Sequence, residues 1–420
     1  MKTVFRSALL IAIVAMAFTG FSAPAKAAAK VQIKVWFVTD TTGFGDDIAK
    51  AFNAANPDIE AVVESRATDA HKEALRTVIN TDAAPDVYFM WGGIGLMGYY
   101  VNAGGAEPLQ AYYDKYGWAK RFAPAPLASS TFNSKLYGMP FRIRTMGLFY
   151  NKESYKKAGI DKDPQTYAEL TIANDKLVKA GIVPLAMGGK NDWMTMRLVD
   201  SLLELRCGAA KHDALTEMKL DWTKETCAAD AFKELRTWVD KGWLAKNFMG
   251  IAAEETHPLV YKGDHAAMYE GDWVVPGLID EGSSQDAIGF FHFPADTKRI
   301  SFFGEMLSIT SNSKHKDEAA KFLDFVSSPE FQKQSVGKWG GLQPTVDVVV
   351  PADAGPLVTH VNQLFNAASG IYLPGDQALP LDVTTVYWKV TDDIVAGVIK
   401  PEEAVTKIQA AVDQYNKAKK

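Results

Sequence analysis

The chain is poor in several things. It has two cysteines in 420 residues, too few for a disulfide scaffold or a cysteine-rich zinc site. Its 7 histidines are scattered and no HExxH pair occurs, so a metal centre has little support. Cationic charge is not in excess: Lys+Arg number 45 against 50 Asp+Glu, a formal net charge of −5. That argues against a basic field able to gather nucleic acid by its phosphates. Beyond the first thirty residues no apolar run is long enough to cross a bilayer. A GxSxG nucleophile elbow and a GxxxxGK[ST] phosphate loop are both missing. The glycine-rich runs GGIG (92–95) and KWGG (338–341) lack the context of a dinucleotide site.

What remains is a globular composition, 47% hydrophobic and 23% charged, rich in large aromatics with 10 Trp, 15 Tyr and 22 Phe. At roughly 100–200 residues per domain the length predicts two or three domains. The N-terminus reads as a secretory signal peptide: Lys2 and Arg6, an apolar run from Ala8 to Phe21, then the small-x-small triplet Ala25-Lys26-Ala27. The run is shorter than the roughly 20 residues of a membrane span, and no cysteine near the cleavage point offers a lipid anchor. Cleavage after residue 27 removes Lys2, Arg6 and Lys26 and no acid, which deepens the net charge to −8. Export leads to an oxidising compartment, where Cys207 and Cys227 either form one disulfide or remain free thiols. The bond would close a loop of about 20 residues and add roughly 3 kcal/mol.

Periodicity then predicts elements. Val31–Val38 (VQIKVWFV), Ile59–Val63 and Val87–Met90 read as strands. Asp47–Asn56, closed by Pro57, and His71–Asn80 read as helices. Strand–helix alternation of this kind means a parallel sheet of α/β class, with ligands bound beyond the carboxyl ends of the strands. The loops of interest are therefore Thr39–Gly45 and Trp91–Gly95. Leu136–Tyr150 is dense in β-formers. Helices are expected over Pro164–Gly181, Trp193–Leu205, Lys316–Val326 and much of Val383–Tyr415; strands over Ala266–Tyr269, Ile288–Phe293 and Glu305–Thr310.

The stretch from Leu136 to Gly189 carries Tyr137-Gly138, Pro140, Tyr150-Asn151-Lys152, Lys157-Ala158-Gly159, Pro164, Thr166 and Pro184 in order. With FNAANPDIEAVV (52–63), APDVYFMWGG (84–93), VNAGGAEPL (101–109), YKGDHAAMYEGDW (261–273), HKDEAAKFLDFVSSPEFQ (315–332) and PEEAV (401–405), it resembles family 1 of the extracellular solute-binding proteins of ABC importers. These include periplasmic sugar-binding proteins of the maltose-binding type. The resemblance implies an α/β, two-lobed periplasmic binding protein fold with an interlobe ligand cleft and a hinge of crossing strands. The expected division is 28–143 and 311–355 for the N-terminal lobe, 147–306 and 360–420 for the C-terminal lobe. The hinge is expected near 143–146, 307–310 and 353–360. It also implies a monomeric, non-enzymatic carrier, free in the periplasm and without cofactor. Such a carrier delivers a carbohydrate, an oligosaccharide or a sugar derivative, to the transmembrane permease subunits. A polyamine, organic acid or polyol ligand, or a secreted carbohydrate-active enzyme, are the alternatives.

A sugar site needs aromatic platforms for CH faces and planar polar groups for hydroxyls. Trp91 beside Gly92, Trp193 after Asp192, Trp273 after Glu270 and Asp272, and Trp339 between glycines are the platform candidates. The resemblance adds a stacking aromatic at Trp273 and polar contacts at Asp40 and Thr41. Arg142 and Arg144 alternate on one strand, so both side chains share a face; they either grip the ligand or form interlobe ion pairs. Glu305 adds a further carboxylate. Trp222, Trp238 and Trp243 read as packing, Trp118 as peripheral, and Trp36 and Trp388 as undecided.

Overall fold

A computed structural model describes residues 30–39, 43–336, 338 and 342–419. The signal-peptide expectation falls outside these residues. Among the described residues eleven strands form: β1 (Val31–Val38), β2 (Ile59–Arg66), β3 (Val87–Trp91), β4 (Thr131–Phe132), β5 (Lys135–Leu136), β6 (Met139–Asn151), β7 (Val183–Ala186), β8 (His265–Gly271), β9 (Ile288–Phe291), β10 (Arg299–Ile309) and β11 (Gly370–Tyr372). Nine of them make one sheet in the order β2-β1-β3-β10-β6-β8-β7, with β11 beside β10 and β9 beside β6.

The N-terminal lobe follows from alternation along its strands. Ile33, Val35 and Phe37 of β1, with Val87 and Phe89 of β3, enter one core with Phe44, Ile48 and Phe52 of the helix Phe44–Ala55 and Phe322 and Leu323 of the helix Lys316–Val326. The residues between them, Trp36, Tyr88 and Met90, face a second core with Leu75 of the helix Thr68–Val78 and Met97 and Tyr100. A period of two therefore buries both faces. The C-terminal lobe repeats this on β6 to β9. Leu148, Ala267 and Tyr269 pack against the helices Tyr167–Lys179, Asp192–Thr216, Thr226–Asp240, Leu381–Val395 and Pro401–Ala418. Phe149, Met268 and Phe290 face the helix Pro356–Ala367 on the other side.

β6 and β10 belong to both halves. Met139–Thr145 pairs antiparallel with Phe302–Leu307, while Met146–Tyr150 pairs with β8 and Leu148–Asn151 with β9. The register shifts between Glu305 and Met306, so that Phe141 is the extra residue beside Pro140, a bulge that bends the strand where the lobes part.

Burial bears out one expectation for the tryptophans and corrects another. Trp222, Trp238 and Trp243 are buried, as the pattern predicts, but so is Trp118. Trp118 is core because the Asp324 carboxylate accepts its indole N–H at 2.9 Å and the Tyr116 ring stacks on it. The cysteines pair. Cys207 and Cys227, with Cα atoms 5.0 Å apart, tie the helix Asp192–Thr216 to the start of Thr226–Asp240. Gly208, next to Cys207, breaks the first of these with φ 70° and ψ 169°. Reduction, or Cys227→Ser, is expected to lower stability by about 3 kcal/mol. A urea midpoint unchanged by reductant would refute this.

Candidate functional site

The two crossing strands bring the predicted charges together. Arg142 and Arg144 do share a face, and both reach the Glu305 Oε2 of the neighbouring strand, with Nε–Oε2 distances of 2.6 and 3.2 Å. Arg144 Nη1 also approaches Asp272 Oδ2 at 3.3 Å, and Asp272 Oδ1 accepts the Thr145 backbone N–H at 3.2 Å. All four charged side chains are buried. Burial alone would push the Glu305 carboxyl upward, but the charges of Arg142 and Arg144 and their hydrogen bonds outweigh it and hold it below the usual carboxylate range. The Arg142 guanidinium lies 4.2 Å from the Phe44 ring centroid, at the mouth of the loop after β1. The arginines thus ion-pair with Glu305 and Asp272. Asp40, Thr41 and Trp339 lie outside the described residues.

Two of the predicted tryptophans meet, and a third packs against the same core cluster. Trp91 ends β3 and packs, half-buried, against apolar residues of both lobes. Trp193, in the first turn of its helix, meets Trp273 edge-on, with ring centroids 6.4 Å apart. Phe303 of β10 closes the corner 5.9 Å from Trp273. Gly271 makes this possible: a Cβ there would stand 1.9 Å from the Trp273 ring, so only glycine lets the indole fold back over the strand end. Gly92 has a different neighbourhood. Its would-be Cβ meets Ser129 and Met306 at 3.0–3.1 Å, and its N–H bonds the Gly304 carbonyl at 2.8 Å. Asp192 is exposed at the rim, and Glu270 is fully buried below the Trp273 segment.

Other groups at the junction carry no warning in the sequence. Lys72 is buried, with Nζ 5.1 Å from the Trp91 ring centroid and 3.4 Å from Asp69. Burial pushes its ammonium below the ordinary value, against the pull of Asp69 and of Asp376 from the opposite lobe. Arg197 bonds both Asp376 oxygens at 3.3 Å and lies 4.4 Å over the Phe303 ring. Asp376 is carried by the short helix Gly375–Ala378, which the loop after β3 meets closely: a Cβ on Gly93 would stand 2.3 Å from the Gln377 carbonyl oxygen. Partial burial and the Asp69 carboxylate raise the Asp192 pKa; burial and Asp192 raise that of Asp392 to about 6. Lysine or arginine inside an amphipathic helix ordinarily marks a solvated face, so only the tertiary fold reveals Lys72 and Arg197.

The arrangement offers aromatic faces for stacking, and donors and acceptors fixed by ion pairs, between two bodies that share a sheet. It matches known proteins along nearly all its length. The sequence profile of the bacterial extracellular solute-binding proteins matches residues 38–333. A "Probable sugar-binding periplasmic protein" of Mesorhizobium japonicum is 25% identical, covering 94% of this chain and 95% of that one. One of the same description from Rhizobium meliloti is 24% identical, covering 93% and 95%. Among solved structures, a chitin oligosaccharide binding protein superposes with a TM-score of 0.83 at 22% identity, covering 92% of this chain and 98% of that one. A protein from a study of xylan utilization by Caldanaerobius polysaccharolyticus superposes at 0.84 with 24% identity, covering 90% and 99%. The fold is that of the two-lobed binding proteins, and the chain belongs to the bacterial extracellular solute-binding proteins.

Proposed function

We propose that the protein is the carbohydrate-binding component of an ABC importer, holding a sugar or oligosaccharide between its lobes and presenting it to the permease. The observation that carries this is the aromatic corner of Trp193, Trp273 and Phe303 at the junction that Trp91 also enters. Indole faces stack on sugar CH faces, while Lys72, Arg197 and Asp376 are planar or charged partners for hydroxyls. The half-buried tryptophans are what distinguish this reading from simple core packing. The names of the relatives support the same class of ligand.

In this reading Trp91, Trp193, Trp273, Asp192, Asp40, Thr41 and Trp339 line the ligand. Arg142, Arg144, Glu305 and Asp272 set the hinge. The separation into lobes at 28–143 with 311–355, and 147–306 with 360–420, is part of the proposal. Closure is favoured because only the closed form offers ligand contacts from both lobes. The protein works as a monomer in the periplasm after removal of residues 1–27. It catalyses nothing and meets no nucleic acid.

A thermal-shift panel tests the ligand class. Chito- and xylo-oligosaccharides, galactose, spermidine and succinate are each added in excess. A carbohydrate at a hundredfold its Kd is expected to stabilise by about 2.7 kcal/mol. Stabilisation by spermidine or succinate alone would overturn the carbohydrate assignment. Cleavage products accumulating from a bound oligosaccharide would overturn the non-enzymatic one.

A further inference from the structure

One buried histidine stands behind the Trp273 platform. The segment that carries Trp273 starts from Glu270 near the end of β8, turns through Asp272–Val274, and winds back through residues 275–282. Its two ends carry the acids Glu270 and Glu281. Both face His257, on the helix Thr256–Tyr261 beneath. His257 Nδ1 bonds Glu281 Oε2 at 3.0 Å, and Nε2 stands 3.8 Å from Glu270 Oε1, an ion-pair distance beyond hydrogen bonding. The second Glu270 oxygen accepts the Gly271 N–H at 3.2 Å, so the carboxylate is oriented from both sides. Glu270 is fully buried and His257 6% exposed. A carboxylate buried so deeply needs a compensating charge, and His257 supplies it.

We propose that His257 is a positioning residue which, as an imidazolium, clamps Glu270 to Glu281 and so holds Trp273 in its corner against Trp193 and Phe303. This rests on the reading of Trp273 as a ligand platform. Burial by itself would lower the imidazole pKa, but Glu270 and Glu281 outweigh it and raise it from the ordinary 6.5 to about 9. Tyr261 on the same helix is a further titratable neighbour, with ring centroids 6.1 Å apart. Burial and the same two acids push its hydroxyl upward, so it stays neutral. A histidine with a raised folded pKa contributes stability that is complete below its unfolded value and is lost as pH rises through the folded one. The clamp is therefore closed at neutral pH and released as pH passes about 9.

Hydrogen exchange tests this without any ligand. In the wild type, the amides of residues 272–283 are expected to lose protection, after correction for intrinsic rate, between pH 8 and 10, while those of β9 keep theirs. His257→Gln should show the open pattern already at pH 7 and lose the pH step. Protection of 272–283 independent of pH in the wild type would overturn the clamp, whether or not the variant folds. So would a loss in His257→Gln spread evenly over the lobe. A second arm measures chitotriose and xylotriose binding by calorimetry. His257→Gln is expected to bind about tenfold more weakly at pH 7 than the wild type, whose own affinity declines through pH 9. Wild-type affinity in the variant would overturn the positioning role. If neither sugar binds the wild type while the exchange step is present, the clamp stands and the carbohydrate reading is what fails.

Discussion

Glu305→Ala is expected to lower the unfolding free energy by about 3–5 kcal/mol, the range for breaking a buried ion pair by removing one partner. Glu305 is the carboxylate that Arg142 and Arg144 share. Its loss leaves two buried guanidinium groups with one counter-charge fewer. Glu305→Gln retains the shape and one acceptor oxygen and should fall between the variant and the wild type. The pH dependence has a definite sign. The folded pKa of Glu305 is depressed, so its contribution is present above the ordinary carboxylate range and fades as pH falls through the folded value. Urea melts at pH 7 and at pH 4 measure both effects. An unchanged midpoint in Glu305→Ala, or a larger gap between variant and wild type in acid than at neutrality, would refute the account.

Two tryptophans should separate binding from stability. Trp238 is fully buried, with its indole N–H on the Tyr167 hydroxyl at 2.7 Å. Trp238→Ala is expected to cost about 3–5 kcal/mol of stability while the folded fraction binds carbohydrate as before. Trp273 is only half-buried at the lobe junction. Trp273→Ala should cost little stability but about 2 kcal/mol of binding, a roughly 30-fold weaker Kd. Trp91→Ala should act in the same direction from the other lobe. Calorimetric titration with a chito-oligosaccharide, alongside denaturant melts, distinguishes the two classes. Loss of affinity in Trp238→Ala with none in Trp273→Ala would remove the basis for the proposed site.

Much of this was legible in the chain. Val31–Val38 and Lys316–Val326 are read to the residue, because each has a clean period and a sharp stop. The shared face of Arg142 and Arg144 follows from strand alternation alone, although alternation leaves both a grip on ligand and interlobe ion pairs open. The first part of β10 was missed. Arg299–Gly304 looks irregular in isolation and becomes strand because Phe302–Gly304 pairs with β6 and Arg299–Ser301 with the three-residue β11. Trp118 was misread because the preceding Gly117, with φ 68°, marks a helix end, and nothing nearby announces Asp324. Lys72, Arg197 and Asp376 converge from three separate helices. No local pattern records such a meeting.

The continuous sheet has a consequence for the order of folding. β3 gains its second neighbour only when Val87 pairs with Ile309 and Trp91 with Glu305, and the N-terminal core is completed by the helix Lys316–Val326. The first lobe therefore cannot close while the chain is still emerging, since its last strand is made after most of the second lobe. Contacts so distant in sequence form slowly, because long loops must close before any pairing rewards them. A chain cut short before Ile309 would leave the outer edge of β3 without its antiparallel partner, an open strand edge of the kind that pairs with other chains.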